Sequence, residues 1–309
     1  MNFSGLRTAT WVSATVVMAS ALGAAGCSSS SSSTSGSGSA SASASSTAGP
    51  SSSGLSLKQV VLGATLKHSF QPNGKGAMQT EPPSQPDDLV TLGGNLYVGF
   101  QNGVGSQGEA STSGNLDSTL GEFTPAGSLV KQWDVKGKID GIGADPATGQ
   151  VIATVNEDSN SSLYTVSGGT VTHYSYAPSP LPHLGGTDAV AVYNGKILIS
   201  ASAPGTAGKA PASAPAVYTV TLNASTKTAK VAPFFADNAA ATVVNTGSKT
   251  ALALTDPDSN AIVPSGSPEF AGDFVLDSQG DLELIFSATA PRPPALPPAT
   301  RPTTWARST

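Results

Sequence analysis

Downstream of a polar stretch, apolar and polar residues alternate in runs of about five, and small turn-forming clusters separate the runs in pairs. Asp88-Leu-Val-Thr-Leu92, then Gly93-Gly94-Asn95, then Leu96-Tyr-Val-Gly-Phe100 is one such pair. Period-two alternation gives each run a single apolar face, and the Gly/Asn cluster supplies the positive φ of a tight turn, so the segment predicts a β-hairpin. The pattern recurs at Asp140–Val155, around the turn in Asp145-Pro-Ala-Thr-Gly-Gln150, and at Asp188–Ala201, around Asn194-Gly195. A fourth copy reads as Asp273–Asp277, a turn at Ser278–Asp281, and Leu282–Phe286.

A second hairpin follows each of the first three copies, at Gly121–Trp133, Leu163–Tyr174 and Val217–Val231. Each unit is therefore four antiparallel strands. The leading residues Asp88, Asp140, Asp188 and Asp273 are 52, 48 and 85 residues apart. A four-stranded unit every ~40 to 50 residues is the period of a β-propeller, so the expected class is all-β, with about four to five blades. The long third interval predicts an insertion or a degraded blade around Val243-Val244, Gly247 and Ala251–Leu254. Lys58–Phe70, with Val60, Leu62 and Leu66, is expected to close the last blade as an outer strand.

The pieces flanking this body are different. Met1 to Cys27 has Arg7 near its start, an apolar stretch from about Thr10 to Ala25, and then Ala24-Ala25-Gly26-Cys27. An apolar run this short that ends in small residues reads as a secretory signal rather than a membrane span. With Leu22 just upstream, its end resembles the lipobox of bacterial lipoproteins. That resemblance implies an acylated (palmitate-type) Cys27, which holds the chain at the outer face of the bacterial cytoplasmic membrane. Residues 28–54 are almost wholly Ser, Ala, Gly and Thr and cannot bury enough surface to offset the entropy of ordering. As a flexible tether they span roughly 30 Å. From Ala290 the chain turns to Pro, Ala and Arg, and three of its four arginines (292, 301 and 307) fall there. This reads as a shifted reading frame in GC-rich coding sequence, which predicts a missing blade and an incomplete ring; a native Pro-rich tail is the alternative. The four expected regions are thus 1–27, 28–54, 55–289 and 290–309.

Charge sharpens the picture of partners. The whole chain carries −5; without Arg7 and the three tail arginines it carries −9, from eleven lysines and twenty acids. So acidic a body excludes nucleic acid as a partner. Cys27 is the only cysteine, so no disulfide staples the body.

The Pro86–Val98 segment and its later copies resemble the repeat of NHL-type propellers, and the lipobox with its Ser-rich tether resembles propeller lipoproteins of high-GC bacteria. NHL-like propellers include scaffolds, ligand binders and metal-dependent hydrolases, so the resemblance implies a fold more than an activity. Polar residues at the inner-strand ends of a propeller converge on a central channel. The candidates are Asp88, Asp140 and Asp188 at strand starts, with Gln101, Asn102, Asn156, Glu157, Asp158 and Ser200 at second-strand exits. His183, in a loop ahead of Asp188, is the one histidine kept as a channel candidate. This oxygen-rich set suits a hard cation such as calcium, and the resemblance to gluconolactonase-like hydrolases implies such an ion. The alternative is that the aspartates cap turns and bond backbone amides. No motif demands a cofactor: Asp256-Pro-Asp258-Ser-Asn260 opens like an EF-hand loop but has Ala261 and Ser267 where Gly and Glu are needed. The expected function is a lipid-anchored binding or scaffold module for a protein, glycan or small ligand, rather than an enzyme. A calcium-dependent lactonase-like hydrolase is the alternative.

Overall fold

The computed structural model describes residues 58–182 and 186–287. Cys27, the signal and tether segments, His183 and the 290–309 tail lie outside the described residues. The chain divides after Leu62 into two units. Of the first, residues 58–62 are described and have no regular structure. All strands belong to the second, and β-structure dominates it.

The first two strands, β1 (His68–Phe70) and β2 (Gln79–Glu81), pair with each other. Three antiparallel four-stranded units follow. The first holds β3 (Pro86–Leu92), β4 (Asn95–Phe100), β5 (Asp117–Phe123) and β6 (Leu129–Lys136). The second holds β7 (Ile139–Asp145), β8 (Gln150–Val155), β9 (Ser162–Ser167) and β10 (Thr170–Ala177). The third holds β11 (Thr187–Tyr193), β12 (Lys196–Ala201), β13 (Pro215–Asn223) and β14 (Thr228–Ala236). Hairpin chemistry is local and behaves as the sequence predicts. Gly93 and Gly94 have φ of 61° and 85°, and Asn194 and Gly195 have 50° and 72°, the left-handed pair that a two-residue turn needs.

These units are propeller blades, because the hydrophobic core lies between their faces. Leu120, Val135, Ile139, Ile142 and Val151 fill the space between blades one and two; Ile152, Leu163, Tyr176, Val190, Ile199 and Tyr218 fill the next. A central blade is buried on both faces, so β8 is buried from Val151 to Val155 without alternation. This is the near-continuous apolar run expected of a strand covered on both sides. The outer strands β10 and β14 also pair in parallel, Ser175 opposite Thr228 and Ala177 opposite Lys230, which fuses blades two and three into one eight-stranded sheet.

The fourth unit departs from expectation. Its sheet has three described strands, β17 (Pro257–Ile262), β18 (Phe274–Ser278) and β19 (Glu283–Ser287), with β18 in the middle. The inner strands β3, β7, β11 and β17 pack side by side in that order, with no comparable contact between β17 and β3. Asp273 therefore precedes a second strand, and the leading strand is β17. The interval read as a degraded blade holds a short hairpin, β15 (Ala240–Thr242) with β16 (Lys249–Ala251). Its buried residues are Leu252 and Leu254, which join Phe274 and Leu276 in the core between blades three and four.

Residues near the chain start do not close the last blade either. His68 is fully buried, with Nδ1 3.1 Å from Asp134 Oδ1 on β6 and Nε2 3.2 Å from Asn115 Oδ1. Asn115 Nδ2 donates to Glu81, which fixes its oxygen toward the ring. Both ring nitrogens thus face oxygen acceptors. Burial opposes the charge, but the Asp134 and Asn115 hydrogen bonds outweigh it and raise the His68 pKa. The buried His68 ring thus fastens β1 to blade one.

Candidate functional site

In all four blades the ladder between the first and second strands slips at the start of the inner strand. Pro86 faces Phe100 and the next pair is Leu89 with Val98; Ile139 faces Val155 and the next is Gly141 with Thr154. Thr187 faces Ala201 before Val190 faces Ile199, and Pro257 faces Ser278 before Asn260 faces Leu276. The residue just after the first pair is Asp87, Asp140, Asp188 or Asp258. A bulge re-aims side chains, and bulges gather beside functional sites. These four aspartates are structural equivalents, 53, 48 and 70 residues apart, and all four line one cavity.

That cavity has a volume of about 310 Å³ and is lined by Asp87, Asp88, Gln101, Lys138, Asp140, Glu157, Asp188, Ala189, Asp258, Ser259 and Asn260. Lys138 lies in its wall, with its ammonium 3.0 Å from Asp140 Oδ1 and in contact with Glu157 Oε1. Burial alone would lower the Lys138 pKa, but Glu157 and Asp140 raise it, so the lysine stays charged. Gln101 Nε2 donates to Ile139 O at 3.0 Å and to Asp140 Oδ1 at 3.4 Å. Asp140 is 6% exposed, and its Oδ2 is buried without a hydrogen-bond partner among the described residues, as is Asn260 Oδ1.

Asp88 has a different task. Its Oδ1 accepts from its neighbour Leu89 N at 2.7 Å and its Oδ2 from Ile142 N of blade two at 2.8 Å. Both oxygens are used by backbone donors, so Asp88 ties adjacent blades together while lining the cavity. Two second-strand hydroxyls make the same kind of tie. Thr154 donates to Asp188 O, and Ser200 donates to Asp258 O at 2.9 Å. Ser200 is therefore a blade clamp. Asn102 and Asn156, at φ of 55° and 67°, spend their amides inside loops: Asn102 on Ser84 N, Asp117 O and Thr119, and Asn156 on Lys138 N and Asn160 O. Neither lines the cavity, and Asp158 is engaged by Ser106.

Of the residues expected from sequence, Asp88, Gln101, Asp140, Glu157 and Asp188 come together. Asp87, Lys138, Asp258 and Asn260 join them unforeseen. One signal was present: Gln85-Pro86-Asp87 and Asp256-Pro257-Asp258 share a Pro-Asp step at the start of an inner strand.

The electrostatics are those of crowded acids. Burial raises the Asp188 pKa, reinforced by the charges of Asp258, Asp140, Glu157 and Asp87. Burial likewise raises Asp258, and a hydrogen bond to Asp188 partly offsets the rise. Of the two, Asp188 is the one whose neutral form the neighbouring charge of Asp258 favours. Burial pushes Asp140 up too, with Lys138 opposing and Glu157 adding to it. Among the described residues no three His, Cys, Asp or Glu side chains are placed to grip a metal ion together.

No protein-family model matches the sequence, and no curated protein is similar to it. Among solved structures, a candidate gluconolactonase is 14% identical, with 70% of this chain and 64% of that chain covered and a TM-score of 0.38. Hydrazine synthase of Kuenenia stuttgartiensis is 8% identical, with coverages of 66% and 50% and a TM-score of 0.37. An auxiliary nutrient binding protein of Bacteroides ovatus is 14% identical, with coverages of 67% and 46% and a TM-score of 0.36. The chain thus matches between 46% and 64% of the length of these proteins.

Proposed function

We propose that the protein is an extracytoplasmic binding module, anchored through a lipid on Cys27, that holds a small ligand in the cavity at the inner-strand ends of its propeller. The observation that carries this is the convergence of Asp87, Asp140, Asp188 and Asp258 from four blades on one cavity. Six carboxyl residues line it against a single lysine. Such crowding costs stability, and groups that raise each other's pKa in a cleft mark a functional site more often than a structural one. The lipid anchor is supported by Ala24-Ala25-Gly26-Cys27 and the tether behind it. In a bacterial host Cys27→Ser is expected to move most of the protein from the membrane fraction to the soluble extracytoplasmic fraction. Unchanged fractionation would rule the anchor out.

For the cavity itself, a thermal-shift screen of the full chain against sugars, amines, amino acids and lactones is the direct test. Ligands that stabilise the wild type are expected to lose their effect in Asp140→Asn. Hits that survive that substitution would place the site elsewhere.

One observation favours the hydrolase alternative. Asp188, pushed up by burial and by the charge of Asp258, is the kind of raised carboxyl that acid–base catalysis uses. The described residues do not form a ready cage for the calcium that a lactonase of this type would need. Lactone hydrolysis that depends on calcium and is lost in Asp188→Ala would establish that reading.

A further inference from the structure

The cavity displays, in its own wall, the kind of group it accommodates. The Lys138 ammonium is seated between Asp140 on one strand and Glu157 at the exit of the next. Across the cavity Asp188 and Asp258 present a second carboxyl pair, and the cavity has no lysine or arginine besides Lys138. Most donor groups in the lining are already engaged: Lys138 on two carboxylates, Gln101 Nε2 on Ile139 O and Asp140 Oδ1, Asn260 Nδ2 on Ala189 O, and Ser259 Oγ on Asp258 Oδ2. Acceptors remain. Asp140 Oδ2 lies in a side chain more than nine-tenths buried and has no hydrogen-bond partner among the described residues, and Asn260 Oδ1, in a half-buried side chain, is likewise a buried atom without a partner there. A buried acceptor without a donor costs free energy, so these atoms point to a donor that arrives with a ligand.

The class of ligand follows from three comparisons. Calcium needs six to eight oxygens at about 2.3–2.6 Å, and the acids here are spread around a cavity of about 310 Å³ with no three placed to converge. A neutral sugar needs donors as well as acceptors from its site, and the spent donors leave it few. An ammonium donates three hydrogen bonds, accepts none, and needs only ordinary hydrogen-bond distances such as the 3.0 Å between Lys138 and Asp140 rather than a closed cage. Charge then sets how many ammonium groups are needed. Six acids and one lysine amount to −5 if all are ionised. Resting on the reading of this cavity as the binding site, we propose that its ligand is a small organic cation with two or more ammonium groups, a short diamine or polyamine. One ammonium sits between Asp188 and Asp258, and another faces Asp140 Oδ2.

Binding then has a proton signature. Asp188 faces Asp258, Asp140, Glu157 and Asp87, with Lys138 held by two of them. Burial raises the Asp188 pKa, and an ammonium seated beside it favours the ionised form, so binding sends a proton to solvent. Isothermal titration of the full chain at about 0.15 M salt, where long-range attraction is screened, tests this with putrescine, spermidine, n-butylamine, calcium chloride and glucose. Putrescine or spermidine is expected to bind, at least about tenfold more tightly than n-butylamine. The binding heat should change with the ionisation enthalpy of the buffer, showing proton release. Asp188→Asn and Asp140→Asn are each expected to weaken binding about ten- to hundredfold, the value of a charge-assisted hydrogen bond. Circular dichroism would verify that both variants are folded. Absence of diamine binding overturns the proposal, as does diamine binding that both variants retain, which would be surface attraction. If calcium or glucose instead binds and is lost in the variants, the ligand class is wrong and the cavity stands as the site.

Discussion

Gly141→Ala is expected to be among the most destabilising single substitutions in this protein, at about 3 kcal/mol or more, and to abolish ligand binding in the cavity. A Cβ on Gly141 would lie 2.5 Å from Ala189 Cα and 2.6 Å from Asp188 O. Both are backbone atoms of the next blade, so no side chain can swing away and the blades themselves must part. Overpacking a tight core typically costs 1–3 kcal/mol, and here it also strains the Thr154 bridge, which takes the Gly141 amide hydrogen at 3.1 Å and donates to Asp188 O. Because Asp140 and Asp188 sit beside the two contact points, the separation would widen the cavity as well. Urea unfolding of wild type, Gly141→Ala and Gly266→Ala would measure the effect. Gly266 has open space around its Cβ direction and no positive φ, so alanine there is expected to cost no more than about 0.5 kcal/mol. Equal unfolding midpoints for the two variants would refute the close approach of β7 and β11.

Hairpins were legible in the sequence because their determinants are local. Gly93-Gly94 and Asn194-Gly195 specify turns by φ alone, and alternation on either side of them does the rest. The fourth blade was misread because its leading strand, Pro257-Asp-Ser-Asn-Ala-Ile262, is mostly polar and resembles a turn. It is a strand only through its pairing with β18 and its packing beside β11, neither of which sequence alternation records. Phe274–Ser278, strongly alternating, looked like a first strand and is the middle of a sheet. The edge of the cavity was missed by one residue for a related reason. Alternation assigns Asp88 to the start of the strand, but the bulge between Pro86 and Leu89 shifts the equivalence to Asp87. Asn102 and Asn156 were attractive as amide ligands, yet asparagine tolerates left-handed backbone, and each is used for that geometry and for tying its own loop.

The same division appears in the chemistry. Residues that bond backbone, such as Asp88, Thr154 and Ser200, hold neighbouring blades in register, whereas Asp188 and Asp258 bring two further carboxyls to a cavity whose single lysine is engaged by Asp140 and Glu157. A ligand that supplies positive charge would turn this repulsion into attraction. The protein is therefore expected to be more stable with its site occupied than its contacts alone would make it.

Asp188→Asn separates these two roles and is expected to stabilise the ligand-free protein at neutral and alkaline pH while weakening its binding. The Asp188 pKa is raised by burial and by Asp258, Asp140, Glu157 and Asp87. A carboxyl whose folded pKa lies above its unfolded value binds its proton more tightly when folded, so its stabilising contribution is complete below the unfolded value near 4. That contribution is lost as pH rises through the raised folded value, because the folded state must then hold a buried charge among like charges. Asparagine keeps the shape and keeps a donor toward Asp258, as the protonated acid does, but never ionises. Near pH 4 the two proteins should therefore melt within about a degree of each other. Near pH 8 the variant should be ahead by about 2 kcal/mol, which for a domain of this size is roughly 4–8 °C. Melting curves of both proteins across that range, without ligand and at fixed salt, give the comparison. A variant that melts below wild type at pH 8 would show that the Asp188 carboxylate is held by favourable contacts, and that the cavity is a structural ion-pair network.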